Sequence, residues 1–402
     1  MNQNINRDIN QEGVQAFGRI KMGTAEIVQE DQLMALLATG RQLTVKLGLD
    51  PTAPDIHLGH AVVLRKLKHF QEFGHKAVII IGDFTGRIGD PTGRSKTRPA
   101  LSTEDVIRHA KTYEEQIFKI LDPDLTEVKF NSEWLSKLNF EDVIKLASRF
   151  TMARLLERDD FKNRYKQELP IGLHEFFYPI MQAYDSVAIK ADIEMGGTDQ
   201  TFNILMGRTL QESMGEQKQV ALFMPLLEGT DGVEKMSKSL GNYIGIEESP
   251  HEIYGKAMSI PDEMIIRYFK LTTDIMPETL VALEDELKSG KLNPKDAKMR
   301  LARELVRLYH GEALANEAET SFVKVFSKRE IPETIETISV KVGTELIEVI
   351  ENLNLYASRS EIRRLIKQGG VRIDDVKVLN EHQELKCGNI LKIGKRRFYK
   401  ID

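Results

Sequence analysis

The chain has 402 residues, of which 41% are hydrophobic and 29% charged, with a net charge of −5 at neutral pH. This length and balance exclude a disordered or fibrous chain and predict a globular protein of two or three domains. A single cysteine excludes an internal disulfide and fits a reducing compartment. The polar first residues do not resemble a secretory signal, and no apolar run reaches the roughly 18 residues of a membrane span, so we expect a cytoplasmic protein without a membrane partner.

The first predicted elements are a helical segment over residues 1–40 and a strand over residues 45–49, where apolar side chains alternate. Residues 50–55 break the strand, and an apolar helix opens at His57-Leu58-Gly59-His60. The unpaired amides at a helix start and the positive end of the helix dipole bind anions. The sequence therefore predicts an anion site at this strand-to-helix turn.

His57 and His60 would share one face of this helix, and Gly59 would let a flat ligand approach the backbone. A helix cap and a surface residue are the alternative interpretation of the two histidines. Zinc is a second alternative, but Cys387 is the sole cysteine, and neither His-Glu-x-x-His nor Cys-x-x-Cys occurs. We therefore predict no protein-bound metal.

A continuous apolar run over residues 77–82 predicts a parallel strand that completes a βαβ unit. The run leads into the glycine-rich segment 82–94, in which Asp90 lies between Gly89 and Pro91. Glycine-rich turns at the carboxyl ends of parallel strands bind ligands in open α/β sheets. Asp90 is thus a candidate for holding an ammonium group, or else a turn residue bonded to its own backbone.

Residues 101–164 show helical periods, and the region over about 101–175 is predicted to be an insertion between two halves of the sheet. The helix that follows places Tyr178, Gln182 and Asp185 on one face of an otherwise apolar surface. Buried polar groups without partners cost about 1–3 kcal/mol each, so three converging groups indicate a ligand. A hydrogen-bonded core network is the alternative.

Two further polar loops follow strands predicted over residues 188–195 and 220–224. The first, Gly196-Gly197-Thr198-Asp199-Gln200, puts glycines and polar side chains where a strand passes into a helix. The second carries Lys235 and Lys238 with hydroxyl groups between and beside them, which suits phosphate binding. An ordinary surface turn is the alternative for this second loop.

The remaining chain predicts a helical domain followed by a small basic one. Residues 249–321 are helical by period and carry no comparable polar cluster. From Ala357 to Asp402 there are 12 Lys and Arg against 6 Asp and Glu, in a chain that is acidic overall. This asymmetry predicts a local contact with a polyanion, with a merely solvated basic tail as the alternative. The candidate contact residues, on a helix that Ser358 would cap and on the strand after it, are Arg359, Arg363, Arg364, Lys367 and Arg372.

These motifs resemble those of a known family. The segments His57-Leu58-Gly59-His60 and Lys235-Met236-Ser237-Lys238-Ser239 resemble the paired signatures of class I aminoacyl-tRNA synthetases, in the expected order. The bacterial tyrosyl-tRNA synthetases in particular are resembled at residues 89–93, 178–185 and 197–200. The segment from about residue 357 resembles the S4-like RNA-binding module that ends those enzymes.

The resemblance implies an α/β fold: a Rossmann-like catalytic domain on a parallel sheet, a helical second domain and a small α+β S4-like domain. The implied boundaries are 1–240 for the catalytic domain with its insertion over about 101–175, 241–328 for the helical domain near the tRNA anticodon, 329–343 for a linker and 344–402 for the S4-like domain. A homodimer is implied by the resemblance alone.

The resemblance also implies a tyrosine–tRNA ligase that activates L-tyrosine with ATP and Mg²⁺ to tyrosyl-adenylate plus pyrophosphate. The tyrosine then passes to the 3′ end of its tRNA. The metal would be held mainly by phosphates and water. Activation of this kind proceeds by positioning and electrostatic stabilisation, without a nucleophilic side chain. The catalytic residues implied are Thr52, His57, His60, Lys235 and Lys238.

The family also implies the binding residues. Those for ATP are Gly48, Asp50, His57, Gly59, His60, Arg98, Asp199, Lys235, Met236, Ser237, Lys238 and Ser239. Those for tyrosine are Asp90, Tyr178, Gln182, Asp185 and Gln200, with Asp185 accepting a hydrogen bond from the phenol. The basic residues of the tail would bind tRNA phosphates by shape.

Lys46 departs from the family pattern, because many bacterial members have a tyrosine there that shares the substrate phenol with the aspartate. If Lys46 points inward, it would pair with Asp185 or act on the phenol itself. If it points outward, Asp185 needs another partner.

Three other functions share parts of this pattern. A tryptophanyl enzyme would have the same fold and both signatures, but its pocket should lack the Tyr-x-x-x-Gln-x-x-Asp polarity and the chain should lack the S4-like tail. A non-catalytic RNA-binding protein would have lost signature histidines or lysines, and all four are present. A nucleotidylyltransferase would not be expected to carry the helical and basic C-terminal part.

Overall fold

The protein is described by a computed structural model, which covers residues 2–50, 55–90, 108, 112–327, 336–340, 343–353, 355–356, 358–374, 376–394 and 397–402. The chain divides into two compact units, Met1–Ala315 and Asn316–Asp402. Each unit contains its own β-sheet. Within the described residues, no helix combines the length and the apolar character needed to cross a membrane.

The first unit is built on a six-stranded sheet. Its strands are β1 (Glu26–Val28), β2 (Thr44–Leu49), β3 (Lys76–Ile81), β4 (Thr126–Phe130), β5 (Ile193–Gly197) and β6 (Val220–Met224). The spatial order is β1-β6-β5-β2-β3-β4, in which β1 is antiparallel to β6 and all other neighbours are parallel.

Helices cover this sheet and extend the unit beyond it. Those described are α1 (Asn2–Lys21), α2 (Glu30–Ala38), α3 (Leu58–Gln71), α4 (Thr85–Ile88), α5 (Ser132–Leu135), α6 (Phe140–Ala147), α7 (Met152–Leu155), α8 (Asp159–Lys166), α9 (Phe177–Ala188), α10 (Thr201–Ser213), α11 (Pro250–Ala257), α12 (Ile265–Thr272), α13 (Pro277–Lys288) and α14 (Pro294–His310). Short 3₁₀ turns span Pro123–Leu125, Leu173–Phe176, Thr198–Gln200, Lys238–Leu240 and Asp262–Met264.

The central strands are apolar because both of their faces are covered. Five of the six residues of β3 and all five of β6 are buried, which is the pattern of a parallel sheet between two layers of helices. The parallel pairing of β2 with β3 around α3 confirms the predicted βαβ unit. The α/β fold class with a parallel sheet is confirmed as well.

The position of β2 determines where a ligand can bind. Its two neighbours are β3 on one side and β5 on the other. The chain runs outward from β2 to β3 and β4 and then crosses back to β5 and β6, so the strand order reverses beside β2. Open α/β sheets bind ligands in the crevice at such a switch point, beyond the carboxyl ends of the strands. Leu49, Ile81 and Gly197 end these three strands at that same edge.

Three sequence-based assignments were wrong. The helical segment over residues 1–40 is interrupted by β1, because Glu26–Val28 pairs with the exposed edge of β6. The insertion over 101–175 is not wholly helical, since Thr126–Phe130 is the edge strand β4 beside β3. The strand predicted from residue 188 begins at Ile193, because α9 continues to Ala188. In each case long-range strand pairing or helix packing overrides a local pattern.

The second unit contains a five-stranded sheet and two helices. Its elements are β7 (Glu336–Ile338), α16 (Leu346–Asn352), α17 (Arg359–Lys367), β8 (Val371–Ile373), β9 (Val376–Lys377), β10 (Ile390–Ile393) and β11 (Arg397–Ile401). A further helix, α15 (Glu312–Ser327), spans the boundary between the units. The sheet order is β7-β11-β10-β8-β9, and Leu346, Ile350, Ile362, Ile366 and Leu391 form part of the unit's own apolar core.

The N-terminus of α17 follows the predicted pattern. Ser358 precedes the helix, and its hydroxyl accepts a hydrogen bond from the backbone amide of Glu361 at 3.3 Å, as expected of an N-cap serine. Gly369 ends the segment with φ of +70°, a conformation that favours glycine.

Candidate active site

A pocket of about 710 Å³ opens at the carboxyl ends of β2, β3 and β5. All but two of the residues that the sequence predicts for catalysis and for binding ATP and tyrosine line it. The two exceptions are Thr52 and Arg98, which lie outside the described residues. Segments that are far apart in the sequence therefore meet in one cavity, as the predicted site requires.

The histidine signature, residues 57–60, forms the first turn of α3. His57 is the N-cap residue, and its backbone amide donates to Nδ1 of His60 at 3.4 Å. The two imidazole rings stack with 3.9 Å between their centroids. A Cβ on Gly59 would lie 3.0 Å from the ring of His57, so glycine here lets the ring stay in place.

Both imidazoles are neutral at physiological pH. Burial lowers the pKa of His57 to about 2, with further lowering by His60, Lys238 and Lys235. Burial also lowers the pKa of His60 to about 4, again with help from the two lysines. A neutral imidazole can donate one N–H bond without carrying charge. Nδ1 of His57 is buried and has no hydrogen-bond partner among the described residues.

The lysine loop, residues 235–239, lies against the histidine signature. The backbone amide of Leu58 donates to the carbonyl of Ile244 at 2.9 Å, and that of Ile246 donates to Ile56 at 3.1 Å. These bonds join the start of α3 to the chain that follows the loop. The contact was not predictable from spacing, because it links segments that are remote in the sequence.

Each lysine of the loop pairs with a carboxylate that borders the pocket. Nζ of Lys235 lies 3.2 Å from Asp199, and Nζ of Lys238 lies 2.7 Å from Asp55. Lys235 is half-exposed, and Lys238 is less so. Both cations can therefore exchange these partners for an anionic ligand at small cost, since surface ion pairs contribute little stability.

The side chain of Asn242 holds the lysine loop in shape, which the sequence analysis did not anticipate. Its Oδ1 accepts from the amide of Ser237 at 2.8 Å, and its Nδ2 donates to Asp231 at 2.7 Å. Nδ2 also lies 3.3 Å from the carbonyl oxygens of Glu234 and Lys235. Asn242 is buried, so these bonds replace lost contacts with water.

On the opposite side of the pocket, Asp90 is held by a buried cation. Its Oδ1 accepts from Arg158 at 2.6 Å, and its Oδ2 accepts from Gln200 at 3.0 Å. Arg158 also donates to Asn203, which in turn donates to Gln200. The preceding Gly89 has φ of +85°, so the turn that presents Asp90 needs glycine.

Helix α9 presents the predicted polar face to the pocket. Its apolar side chains, including Ile180 and Met181, pack in one core cluster with Met206 of α10. The hydroxyl of Tyr178 donates to Asp50 at 2.8 Å. Burial and the nearby carboxylates raise the pKa of Tyr178 well above its ordinary value, so the phenol is neutral.

Asp185 lies at the buried end of this face. Its carboxylate accepts from the indole N–H of Trp134 at 2.7 Å and from the amide of Asn131 at 3.3 Å. Burial raises the pKa of Asp185 to about 7, against the opposing effects of Lys46 and of these two hydrogen bonds.

Comparison with known proteins determines the family. The family model for tRNA synthetases class I (W and Y) matches residues 38–327, and the S4 domain model matches residues 346–390. A tyrosine–tRNA ligase 2 of Clostridium acetobutylicum is 58% identical over 387 residues, which cover 95% of this chain and 97% of that protein. The tyrosine–tRNA ligase of Carboxydothermus hydrogenoformans is 55% identical over 397 residues, with 95% and 96% covered. The chain belongs to the bacterial tyrosyl-tRNA synthetases.

Solved tyrosyl-tRNA synthetases have the same fold. A truncated mitochondrial enzyme of Aspergillus nidulans superposes with a TM-score of 0.67 at 22% identity, over 81% of this chain and 100% of the other. The enzyme of Archaeoglobus fulgidus, solved with L-tyrosine, gives 0.64 at 24% identity, over 76% and 99%. At these identities the comparison supports the fold alone.

The predicted family and activity are thereby confirmed. As a tyrosyl-tRNA synthetase with a C-terminal S4 domain, the protein is a ligase that activates tyrosine with ATP and joins it to tRNA. A tryptophanyl enzyme, a non-catalytic RNA-binding protein and a nucleotidylyltransferase no longer account for the chain.

The side chain of Lys46, the residue that departs from the tyrosyl-tRNA synthetase pattern, does not pair with the predicted carboxylate. It points inward and is fully buried, but its ion-pair partner is Glu194 at 2.9 Å and not Asp185. The partners of Asp185 are Trp134 and Asn131, which the sequence analysis passed over.

Several residues that bond to the pocket side chains Asp90 and Asp185 were missed by sequence reasoning, because they come from the segment predicted only as an insertion. Asn131 and Trp134 follow β4, and Arg158 precedes α8. The only tryptophan of the chain was a usable signal, since a buried indole N–H needs an acceptor. Arg158 gave no such signal, because nothing in its local sequence marks it as buried.

No protein metal cage was found in the part of the chain that the structure describes. There, no group of three or more His, Cys, Asp or Glu side chains is arranged to hold a metal ion.

In the S4 unit, the predicted RNA-binding residues of α17 lie on one exposed face. Arg359, Arg363, Arg364 and Lys367 are exposed, while Ile362 and Ile366 on the other side are buried in the core. Arg359 pairs with Glu351 and Arg363 with Glu381, each at 2.8 Å. Arg372 is half-buried on β8.

Proposed function

We propose that this pocket forms tyrosyl-adenylate by holding ATP and tyrosine in line and by stabilising the charge that develops on the phosphates. The observation that carries the proposal is that the histidine signature, the lysine loop and the polar face of α9 line one pocket. No nucleophilic side chain is required, because the attacking group is the carboxylate of tyrosine itself. Positioning and fixed dipoles supply the rate enhancement.

His57, His60, Lys235 and Lys238 bind the phosphates in this proposal. The two imidazoles are neutral, and each donates one N–H bond, to the α-phosphate or to the pyrophosphate, without adding a positive charge to the free site. The lysines supply positive charge from a loop whose ion pairs exchange easily. Thr52 and Arg98 keep their predicted roles, although they lie outside the described residues.

The nucleoside binds along the ends of β2 and β5. A Cβ on Gly48 would meet no heavy atom within 4 Å, so the backbone there is open to a ligand. Asp199 follows β5 and takes a ribose hydroxyl, which frees Lys235 from its ion pair. Asp50, Gly59, Met236, Ser237 and Ser239 complete the predicted ATP contacts, and all line the pocket.

Tyrosine binds between α9 and the turn that carries Asp90. Asp185 accepts from the phenol, and Tyr178, Gln182 and Asp90 surround the ammonium group. Gln200 lies 3.0 Å from Asp90, which supports a place for it at the amino-acid end of the substrate.

Mg²⁺ enters with ATP in this scheme. It would be bound by phosphate oxygens and water rather than by a protein cage. The metal neutralises phosphate charge, while the residues above orient the nucleotide.

The S4 unit contributes tRNA contacts through the exposed face of α17 and Arg372, and residues 241–328 form the predicted helical tRNA-binding domain. We also propose a homodimer. Helices α6 to α8 expose large apolar side chains, among them Phe140, Ile144 and Met152, and Phe140 is 80% exposed. An exposed apolar surface of this kind favours burial against a second copy.

The experiment is amino-acid-dependent exchange of labelled pyrophosphate into ATP, with tyrosine, tryptophan and phenylalanine tested separately and without tRNA. Exchange with tyrosine alone is expected, because Asp185 requires a hydroxyl donor. Exchange with tryptophan would overturn the pocket assignment. Sedimentation of the purified protein tests the dimer: a monomer at micromolar concentration would contradict it.

A further inference from the structure

A buried ion pair lies beneath the amino-acid end of the pocket. Lys46 on β2 and Glu194 on β5 are direct neighbours in the parallel sheet, and their charged atoms are 2.9 Å apart. Their side chains are 0% and 1% exposed, respectively. Neither residue lines the pocket, and the reaction scheme above uses neither.

The pair joins the sheet to α9, the helix that carries the tyrosine contacts. Nζ of Lys46 donates to Oγ of Ser186 at 2.7 Å and to the backbone carbonyl of Gln182 at 3.1 Å. Glu194 accepts from Ser186 at 2.8 Å, and Oε1 of Glu194 lies 3.5 Å from Nε2 of Gln182. Gln219 on the far side also donates to Glu194. Gln182 and Ser186 flank Asp185, so these bonds fix the helix turn that presents it.

Stability alone does not account for this pair. Desolvating two charges costs several kcal/mol, and replacing a buried pair with apolar residues is often neutral or stabilising. The surrounding strands are apolar, so a neutral pair of side chains would suit them equally well. The contacts with α9 are what an apolar pair could not provide.

The charges also act on Asp185. Burial raises its pKa, Lys46 is the largest opposing influence, and Glu194 adds a smaller raising effect. Trp134 and Asn131 donate to it from the segment after β4. Of the other carboxylates that line the pocket, Asp50 and Asp90 bond to Tyr178 and to Arg158 respectively. The remaining two, Asp55 and Asp199, pair with Lys238 and Lys235.

We propose that Lys46 and Glu194 are a positioning pair for amino-acid recognition. They hold the Gln182–Ser186 turn of α9 to the sheet, and Lys46 supplies the positive charge that keeps Asp185 an ionised acceptor for the substrate phenol. The inference rests on the proposed function, in which Asp185 binds that phenol.

The test compares three variants of the full chain. Lys46→Met removes the positive charge of the pair and leaves Glu194 unpaired. K46M/E194Q removes both charges, so the double variant leaves no unpaired buried carboxylate to prevent folding. The matched control is Lys66→Met. Lys66 is 2% exposed on α3, does not line the pocket, and donates to the carbonyls of Arg19 and Met22.

Each variant is assayed by pyrophosphate exchange at several pH values, at a temperature below that variant's own unfolding midpoint. For K46M and K46M/E194Q we expect the KM for tyrosine to rise about ten-fold, with the KM for ATP changed less than about two-fold, because one lost charge contact is worth about one pKa unit. The preference for tyrosine over phenylalanine should also fall. The pH of half-maximal kcat/KM for tyrosine should move upward by about one unit, because the lowering effect of Lys46 on the pKa of Asp185 is larger than the raising effect of Glu194.

Lys66→Met should lower the unfolding temperature without moving the KM for tyrosine, the amino-acid preference or the pH profile. If K46M/E194Q behaves like this control, Lys46 and Glu194 have a merely structural role and the inference is overturned. If the unaltered protein shows no exchange with tyrosine, it is the proposed function that fails.

Discussion

At the start of α3 two imidazoles are neutral, and two lysines lie beside them. Burial is the main cause, and the lysine charges add to it by disfavouring a second cation nearby. Neutral donors suit a site that receives a polyanion, because the net charge stays low in the free enzyme. The same residue type serves differently at His69, on the same helix, where burial lowers the pKa to about 2 far from any phosphate site.

Replacing His57 by Asn is expected to lower kcat for tyrosine-dependent exchange by about 10²–10³, the usual effect of losing one transition-state donor. The KM for tyrosine should change little, because in the proposed scheme His57 donates to the phosphates and not to tyrosine. Steady-state pyrophosphate exchange measures both constants.

The control for this variant is His69→Asn, which alters a buried histidine of α3 that does not line the pocket. It should leave kcat within about two-fold, since it removes no donor from the phosphates. Equal losses in the two variants would mean that helix stability, and not phosphate binding, explains the effect of His57.

Asp185 predicts a pH dependence of stability. Its pKa in the folded protein is raised from 3.8 to about 7 by burial. At pH below about 4 the carboxyl is protonated in both the folded and the unfolded chain, so its ionisation does not affect the free energy of unfolding. As the pH rises toward 7, the carboxyl ionises first in the unfolded chain, so the free energy of unfolding falls. Asp185→Asn removes this loss.

Thermal unfolding midpoints should therefore be measured across pH 4 to 8. The midpoint of Asp185→Asn is expected to increase relative to that of the unaltered protein as the pH rises. A gap that stays constant with pH would contradict the raised pKa.

At the scale of single elements, the lysine loop depends on a residue outside its signature. Asn242 bonds to both arms of the loop and to Asp231. The close packing of the loop extends to Gly229, where a Cβ would collide with Asn242. A loop that must move onto phosphates therefore has a fixed base.

Asn242→Ala is expected to raise the KM for ATP and lower kcat, together by about ten-fold in kcat/KM, because buried donors and acceptors lose partners worth about 1–3 kcal/mol. The KM for tyrosine should not change. The matched control is Asn139→Ala, which removes the N-cap of α6, away from the loop. An increase in the KM for tyrosine as large as that for ATP would argue against a role confined to the loop.

At the scale of the whole molecule, two units with separate cores divide the chemistry. In the proposed scheme activation uses only residues of the first unit, since every described pocket residue precedes Ala315. The basic residues of the second unit are expected to act on the transfer step, because tRNA phosphates are attracted by clustered positive charge.

Lys367→Glu should raise the KM for tRNA in aminoacylation and reduce the salt dependence of tRNA binding by about one phosphate contact. Tyrosine-dependent exchange should stay unchanged. Lys386→Glu makes the same charge change on an exposed residue outside α17. If both variants weaken tRNA binding equally, net charge rather than the α17 face is responsible.

The sequence by itself determined the fold class, the βαβ unit and many of the residues that line the pocket. Those features depend on local patterns: apolar runs for the buried strands, glycine-rich turns at their ends, and Tyr178, Gln182 and Asp185 at helical spacing. Such patterns survive in one dimension because the side-chain periods of helices and strands are fixed by backbone geometry.

Only the tertiary structure decided the partners of those residues. β1 and β4 were missed because short edge strands are made by their neighbours rather than by their own sequence. Three contacts join residues that are far apart in the sequence: Arg158 with Asp90, Trp134 with Asp185, and Glu194 with Lys46. Burial then determines the protonation state of the titratable residues among them. The sequence therefore identified many of the residues that line the pocket, and three-dimensional packing determined how each is held and charged, because desolvation and pairing arise only between elements that fold together.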